Sequence, residues 1–185
     1  MACWAHMSST TRTHRTARGE HVTFLRTAAD TGGDLLEMQV VYVPSATAPP
    51  LHLHPEQEER FEVLGGAMWT RIGTQEVTYG IGERFVVPAG TPHTMRPAAD
   101  DGAEVVWQVR PALDSEAFFR VVWGIDGEAV VGARPGLLRS VAVARRFARE
   151  FRVCRPPYVV QRVLFAVLGP VAAWRGHRMP GGSTE

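Results

Sequence analysis

Between residues 22 and 110 the sequence alternates short β-rich runs with Gly and Pro, and this texture limits the folds open to the chain. Short runs rich in Val, Phe, Tyr and Thr are typical of strands, while Gly and Pro clusters mark turns. No long internal repeat or low-complexity linker divides the region. The runs occupy residues 22–26, 36–43, 61–64, 68–72, 85–87 and 105–109. This spacing predicts an antiparallel sandwich or a closed β-barrel.

The pattern becomes helical after residue 111. Asp114 or Ser115 can cap a first helix that ends near residue 124. A second helix is predicted from about residue 135 to about residue 151, where apolar residues recur in steps of three and four. A Pro-Pro pair ends it. A third, apolar helix is predicted over residues 158–174, with a kink at Gly169-Pro170.

These patterns divide the chain into four parts. We expect a disordered N-terminal arm at 1–19, a β-domain at 20–112, a helical extension at 113–178 and a disordered tail at 179–185. The His6-Met7 pair resembles a cloning remnant, so part of the arm is expected to be cloning-derived. The first residues lack the basic-then-apolar layout of a secretory signal. Cys3 and Cys154 form no CxxC pair, which indicates a reducing compartment, and we therefore expect a cytoplasmic protein.

Composition excludes several functions. Lysine and asparagine are absent from the 185 residues. The chain therefore has no Schiff-base lysine, no phosphate-binding P-loop lysine and no asparagine side chain for an oxyanion hole. The formal net charge is +1, so no nucleic-acid partner is expected.

One cluster of metal-ligand residue types lies at residues 51–59. On a strand, residues i and i+2 share a face, so His52 and His54 can approach one ion from the same side. Glu58 and Glu59 compete for a third position. With Glu59 inward the same face carries Phe61 and Val63, whereas Glu58 inward would bring charged neighbours into the core, so alternation favours Glu59. A carboxylate buried among apolar side chains costs several kcal/mol unless it is paired or metal-bound.

A second cluster spans residues 82–93. Its Pro-x-Gly turn predicts a sharp hairpin, and His93 begins the strand that leaves the turn. His93 is the natural fourth ligand.

The two clusters together resemble the two motifs of the cupin superfamily. In the first motif, HxH is followed after three or four residues by Glu, and six further residues separate that Glu from a Gly; Glu59 with Gly66 fits this spacing, and so does Glu58 with Gly65. In the second, Gly82, Pro88 and Gly90 stand at the matching positions before His93. One position departs from the pattern, since Pro97 stands where the family usually has Asn. The resemblance covers roughly residues 20–112.

The resemblance implies a mainly β fold, a cupin-type antiparallel β-barrel (a double-stranded β-helix or jelly roll), followed here by C-terminal α-helices. It also implies a metal inside the barrel near one mouth, and frequently a dimer. Three imidazoles and one carboxylate suit one divalent transition metal ion, Fe, Mn, Ni, Zn or Cu, and ligand type alone does not separate these metals. Glu59 is also a candidate catalytic base.

The predicted interior is apolar, and Phe61, Met68 and Met95 are the candidate substrate-binding residues. Such a lining favours a small, largely apolar or aromatic metabolite over a sugar. The leading hypothesis is a metal-dependent enzyme, either a dioxygenase or a cyclase or isomerase of specialised metabolism. The first alternative is a non-catalytic cupin that binds a small ligand while its helices contact a partner.

The C-terminal helices raise the question of assembly. A homodimer would cover open sheet edges and the apolar third helix, and Trp69 is a candidate interface residue. The second alternative is a membrane-surface-associated cupin, in which the Arg-rich second helix and the third helix lie against anionic lipid.

Overall fold

The structure is a computed structural model that describes residues 13–44, 48–98, 100, 102–125 and 136–174. Its strands follow in chain order: β1 Thr13–Arg15, β2 His21–Arg26, β3 Leu36–Tyr42, β4 His52–Leu53, β5 Glu58–Gly66, β6 Met68–Ile72, β7 Gln75–Tyr79, β8 Arg84–Val87, β9 His93–Pro97, β10 Ala103–Arg110 and β11 Arg152–Val153. Its helices are α1 Ala28–Thr31, α2 Ser115–Trp123, α3 Leu137–Arg146 and α4 Tyr158–Trp174.

The strands form two antiparallel sheets. One has the order β1-β2-β3-β10-β5-β8 and the other the order β11-β4-β9-β6-β7. They are two hydrogen-bonded sheets rather than one closed barrel. The prediction of a mainly β, cupin-type antiparallel fold followed by helices is confirmed.

The core lies between the inner faces of the two sheets. Strand β10 alternates strictly, with Val105, Trp107 and Val109 buried and the residues between them half-buried. Its pairing with β5 sets Trp107 beside Phe61, and the two rings stack with centroids 5.0 Å apart. Period-two alternation therefore fixes which side chains of β5 face the interior.

Two boundaries differ from the sequence predictions. Residues 13–15 of the expected disordered arm form β1, which pairs with β2 and brings the hydroxyls of Thr13 and Thr23 within 2.8 Å. Helix α3 ends at Arg146 rather than near residue 151, because the chain turns at Phe147 and approaches the β-domain. The expected tail at 179–185 lies outside the described residues.

The helical extension is attached firmly to the β-domain. Asp114, one of the two predicted caps, occupies the N-cap position of α2 but makes no capping hydrogen bond; its carboxylate instead accepts a hydrogen bond from Arg146 at 2.7 Å. The buried Gln57 amide donates to the carbonyl oxygens of Pro111 and Ala112 and to the Ser115 hydroxyl. Because a buried amide without partners is costly, these bonds fix the start of the extension against the sheet.

Helix α4 packs on α3 and continues through Pro170, where the sequence predicted a kink. The face of α4 turned toward the protein includes the buried Gln161, whose amide donates to the carbonyl oxygens of Val153 and Pro156. No helix in the described part of the chain has both the length and the apolar character that a membrane crossing requires.

Candidate metal centre

Both sheets supply the four candidate ligands. His52 on β4 pairs in register with His93 on β9, and His54 follows directly after β4. Glu59 comes from β5 in the opposite sheet. The amide of Gly90 donates to the carbonyl oxygen of His54 at 2.8 Å, which joins the hairpin before His93 to the HxH segment. Residues far apart in the sequence thus converge between the sheets.

The convergence is tight and buried. His52, His54 and His93 each offer a ring nitrogen, and these three atoms lie within 4.8 Å of one another. The ring centroids of His52 and His93 are 4.3 Å apart. Glu59 is 0% exposed and each imidazole is less than 9% exposed. Such a cluster of three histidines can hold a metal ion.

Backbone carbonyl groups fix the orientation of each imidazole. The Nδ1 atoms of His52, His54 and His93 lie 2.8, 2.6 and 3.0 Å from the carbonyl oxygens of Pro50, Glu150 and Thr91. A carbonyl oxygen only accepts, so these contacts assign the proton to Nδ1 in each ring. The Nε2 lone pair is then free to bind a cation, as in metal-ligating histidines whose other nitrogen donates to a carbonyl group.

Glu59 faces these lone pairs. Its Oε2 atom lies 3.0 Å from Nε2 of His93, and its Oε1 atom lies 3.2 Å from Nε2 of His54. The indole nitrogen of Trp107 donates to Oε1 at 3.1 Å. Among the described residues, Glu59 Oε2 and the two Nε2 atoms have no hydrogen-bond partner, although all three are buried. Acceptors facing one another in a low-dielectric interior need a cation between them, so the donor set fits a metal.

Burial also changes how the site titrates. Desolvation lowers the pKa of His52 to about 3, and the neighbouring imidazoles of His93 and His54 add to the effect. Desolvation likewise lowers the pKa of His54. Burial alone would raise the pKa of Glu59, but protonation of the adjacent His54 or His93 favours the carboxylate and leaves that pKa below its usual value. His52 and His54 are therefore neutral at pH 7 and can act as ligands, and Glu59 is an anion.

The structure separates Glu59 from its competitor. Glu58 points to the surface, where its Oε1 atom accepts a hydrogen bond from Arg60 at 2.7 Å. The glycine of the first motif supports the same choice between the two carboxylates. Gly66 has φ +64°, and a Cβ added there would clash with the carbonyl oxygen of Gly102, whereas Gly65 has ordinary contacts. Of the two pairs that fit the motif spacing, the structure therefore favours Glu59 with Gly66.

The three candidate substrate-binding residues are buried at different depths. Met95 follows His93 on the same face of β9, and Phe61 follows Glu59 on the same face of β5. Met68 pairs with Pro97, one step further along β9 from Met95. One step of two residues is roughly 6.6 Å. Phe61 and Met95 therefore form the layer next to the ligands, and Met68 lies a layer deeper.

Three contributors to the site were missed from sequence. Trp107 lies on the inner face of β10, where an indole N–H needs a partner, and this was a usable signal. Phe151 stacks on His52 with ring centroids 4.7 Å apart, and the Glu150 carbonyl oxygen accepts from His54. No local pattern marks these two residues, because their contacts depend on a long-range return of the chain.

Comparisons with known proteins agree with this geometry. Residues 38–109 match the family described as Cupin domain. No curated protein sequence matches the chain. An RmlC-like cupin from Shewanella frigidimarina superposes with a TM-score of 0.50 at 15% identity, covering 62% of this chain and 96% of that chain.

Two further solved structures resemble the β-domain. KdgF from Halomonas sp. gives a TM-score of 0.49 at 18% identity, with 57% of this chain and 90% of that chain covered. Oxalate decarboxylase from Bacillus subtilis gives a TM-score of 0.46 at 22% identity, covering 56% of this chain and 28% of that chain. With the family match, the two facing sheets and the histidine cluster in place, residues 38–109 of this chain form a cupin domain.

Proposed function

We propose that this protein is a mononuclear metal-dependent cupin enzyme acting on a small, largely apolar or aromatic metabolite. The observation that carries the proposal is the set of buried, unpartnered acceptors on Glu59, His54 and His93, which face one another at 3.0 to 3.2 Å. A structural role alone would leave these groups unsatisfied at a cost of about 1–3 kcal/mol each.

In this proposal His52, His54 and His93 hold the ion through Nε2, and Glu59 supplies a carboxylate oxygen. A bound divalent transition metal can polarise a carbonyl or enolate oxygen or activate O2. The protein's own contribution is orientation, because each Nδ1 is fixed by a carbonyl group and Glu59 is fixed by Trp107. Glu59 is also the buried group best placed to move a proton.

The apolar layer next to the ligands supports the substrate class. Phe61 and Met95 are 2% and 8% exposed and bring no charge to the interior. They can exclude water and contact a flat or aliphatic substrate, while polar recognition is confined to the ligand layer. We therefore propose a dioxygenase, or a cyclase or isomerase, in place of a sugar-processing enzyme.

The reaction class can be tested with metal-loaded protein. The Fe(II) form would be screened for O2 uptake on catechols, diketones and polyphenols, and the Zn(II) form for isomerisation by NMR. Glu58→Gln is the matched control for Glu59→Gln, because it changes the neighbouring carboxylate that pairs with Arg60 at the surface. Turnover by the wild type and Glu58→Gln but not by Glu59→Gln supports the proposal. Equal turnover by all three would contradict a role for Glu59.

A non-catalytic binding protein is the second candidate. It is favoured by the near-complete burial of the histidines and by the Phe151 ring that lies on His52. Stoichiometric binding of a small aromatic ligand, with no product formed over many hours, would support this candidate over the enzyme.

We also propose that the protein is a homodimer through α4, in the cytoplasm. The outer face of α4 exposes apolar residues at alternating steps of four and three: Val160, Leu164, Val167, Val171 and Trp174. This is the a/d spacing of a coiled-coil seam, and Arg162 is the one charged residue in the helix. An exposed apolar stripe on a helix normally packs against another element, and in the described part of the chain α3 packs on α4 while this stripe stays exposed. A second copy of α4 has the matching seam.

A further inference from the structure

The segment between α3 and α4 lies outside the part of the chain that matches the cupin family, yet it touches the metal centre. Strand β11 pairs with β4, setting Arg152 opposite Leu53 and Val153 opposite His52. The amide of Cys154 donates to the carbonyl oxygen of Leu51 at 2.9 Å. The chain thus returns to β4, the two-residue strand that contains His52 and is followed directly by His54.

Two contacts from this segment reach the imidazoles themselves. The Glu150 carbonyl oxygen lies 2.6 Å from Nδ1 of His54. The Phe151 ring stacks on His52 with centroids 4.7 Å apart and planes inclined by 28°, and it meets His54 edge-on at 5.9 Å. One contact therefore sets which nitrogen of His54 carries the proton, and the other restricts the rotation of the His52 ring.

The segment is itself held in place from several sides. Phe151 stacks on Phe118 of α2 at 5.1 Å. The Glu150 carboxylate is buried and accepts from the amide of Asp114 at 3.3 Å. Arg149 forms a two-armed ion pair with Glu56, beside the HxH segment. Such support on both sides is what a group needs in order to orient a ligand.

We propose that Glu150 and Phe151 are positioning residues of the metal centre, so that the C-terminal extension completes the site. The proposal rests on the metal site proposed above. Phe151 holds the plane of His52 and the Glu150 carbonyl group holds the tautomer of His54, so both Nε2 lone pairs are aimed before a metal arrives. Loss of an outer-shell partner of this kind lowers metal affinity by roughly 10- to 100-fold.

Phe147 offers a matched control. It belongs to the same turn, is 3% exposed, and packs its ring against Phe118 at 5.5 Å. Phe147→Met and Phe151→Met each replace a phenyl ring of the same cluster with a flexible apolar chain. Phe151→Tyr keeps the ring on His52. If both rings had a purely structural role, Phe147→Met would weaken Co(II) binding at least as much as Phe151→Met, because Phe147 is the more buried residue.

The experiment is a Co(II) titration of the full-length protein followed by visible absorption. Phe151→Met is expected to weaken Co(II) binding about tenfold and to alter the d–d bands. Phe151→Tyr and Phe147→Met should stay within about twofold of the wild type, with an unchanged spectrum. Equal weakening in Phe151→Met and Phe147→Met, or none in Phe151→Met, would overturn the proposal.

A metal-free measurement separates this proposal from the function on which it rests. Long-range ¹⁵N spectra of histidine-labelled protein should show the Nδ1–H tautomer for His54, with the His52 and His54 shifts changed in Phe151→Met but not in Phe147→Met. If the wild type binds no metal, the proposed function fails while these spectra still test the positioning. A wild-type His54 carrying its proton on Nε2 would overturn the role of Glu150, even if Phe151→Met does not fold.

Discussion

Nε2 of His93 lies 3.0 Å from Oε2 of Glu59, although the two residues belong to strands of different sheets. Both atoms are buried, and neither has a hydrogen-bond partner in the part of the chain that the structure describes. This contact joins the two facing sheets at the point where the chain places all its candidate ligands. It is therefore the contact on which the stability of the empty site and its affinity for a metal both depend.

Replacing Glu59 by Gln should separate metal binding from stability. The amide can donate to an imidazole lone pair, so the unfolding free energy of the metal-free protein should stay the same or rise by about 1 kcal/mol. Metal affinity should fall by more than the roughly 10- to 100-fold seen for outer-shell changes. Isothermal titration with Zn(II) and urea denaturation of the metal-free protein measure the two effects.

Glu58→Gln is the control for that comparison, because Glu58 pairs with Arg60 at the surface. A surface ion pair contributes about 0–1 kcal/mol, so this variant should bind Zn(II) like the wild type. If Glu58→Gln lost affinity and Glu59→Gln kept it, the assignment of the carboxylate ligand would be reversed.

Trp107→Phe should weaken the site through Glu59. The change removes the indole N–H that donates to Oε1 of the buried Glu59 carboxylate. Loss of this hydrogen bond should lower the unfolding free energy by about 1–3 kcal/mol. Zn(II) affinity should also fall about tenfold. Trp123→Phe is the comparison, since Trp123 stacks on Phe119 and meets the Trp107 ring edge-on, whereas it is Trp107 that donates to Glu59. Similar Zn(II) affinities in the two variants would rule out the indole as a positioning group.

The metal-free protein should lose stability in mild acid. The folded-state pKa of His52 is about 3, against an ordinary value of 6.5, so the unfolded chain binds a proton between these values and the folded chain does not. Stability should therefore fall as pH drops from about 6.5 toward 3, by about 1.4 kcal/mol per pH unit for each such histidine. The lowered pKa of Glu59 acts in the same direction below pH 4.5.

Denaturation midpoints at pH 7 and pH 5, measured after chelation, check this slope. His52→Leu should flatten the pH dependence, because it removes a buried imidazole whose pKa is lowered by desolvation. A wild-type midpoint that is the same at both pH values would contradict the burial of neutral imidazoles.

The α4 seam predicts a dimer at micromolar concentration. Val167→Asp, at a position 63% exposed in the single chain, should convert it to a monomer in size-exclusion chromatography with light scattering. Ile81→Asp changes a residue that is 71% exposed and far from α4 in the sequence, and it should leave the dimer intact. A monomeric wild type would contradict the proposed dimer. A monomer that sediments with anionic vesicles would favour the membrane-surface alternative.

Much of the fold, and the placement of the candidate ligands, followed from local pattern. Alternation placed Glu59 on the face shared by Phe61 and Val63, and the structure buries all three residues completely or nearly so. The spacing of His52 and His54 predicted that both side chains lie on one face of a strand. The turn before His93 predicted that His93 begins the next strand and approaches them. These inferences worked because period-two alternation and turn chemistry act over a few residues.

The contribution of the helical extension could not be predicted in the same way. Strand β11 has two residues, too few for any alternation, and its pairing with β4 depends on the end of α3 at Arg146. The recurrence of apolar residues in steps of three and four predicted a helix that continues to about residue 151. The helix ends at Arg146 instead, and the ring of Phe151 stacks on His52.

The most direct test of the account is the metal content of untagged, full-length protein purified without added metal and kept from air. Elemental analysis should find about one equivalent of Fe, Mn, Ni, Zn or Cu per chain, and His93→Ala should carry far less. Protein that contains no metal, and takes up none on titration with Fe(II), Zn(II) or Co(II), would contradict the central claim and leave the buried acceptors of Glu59 and His93 without their cation.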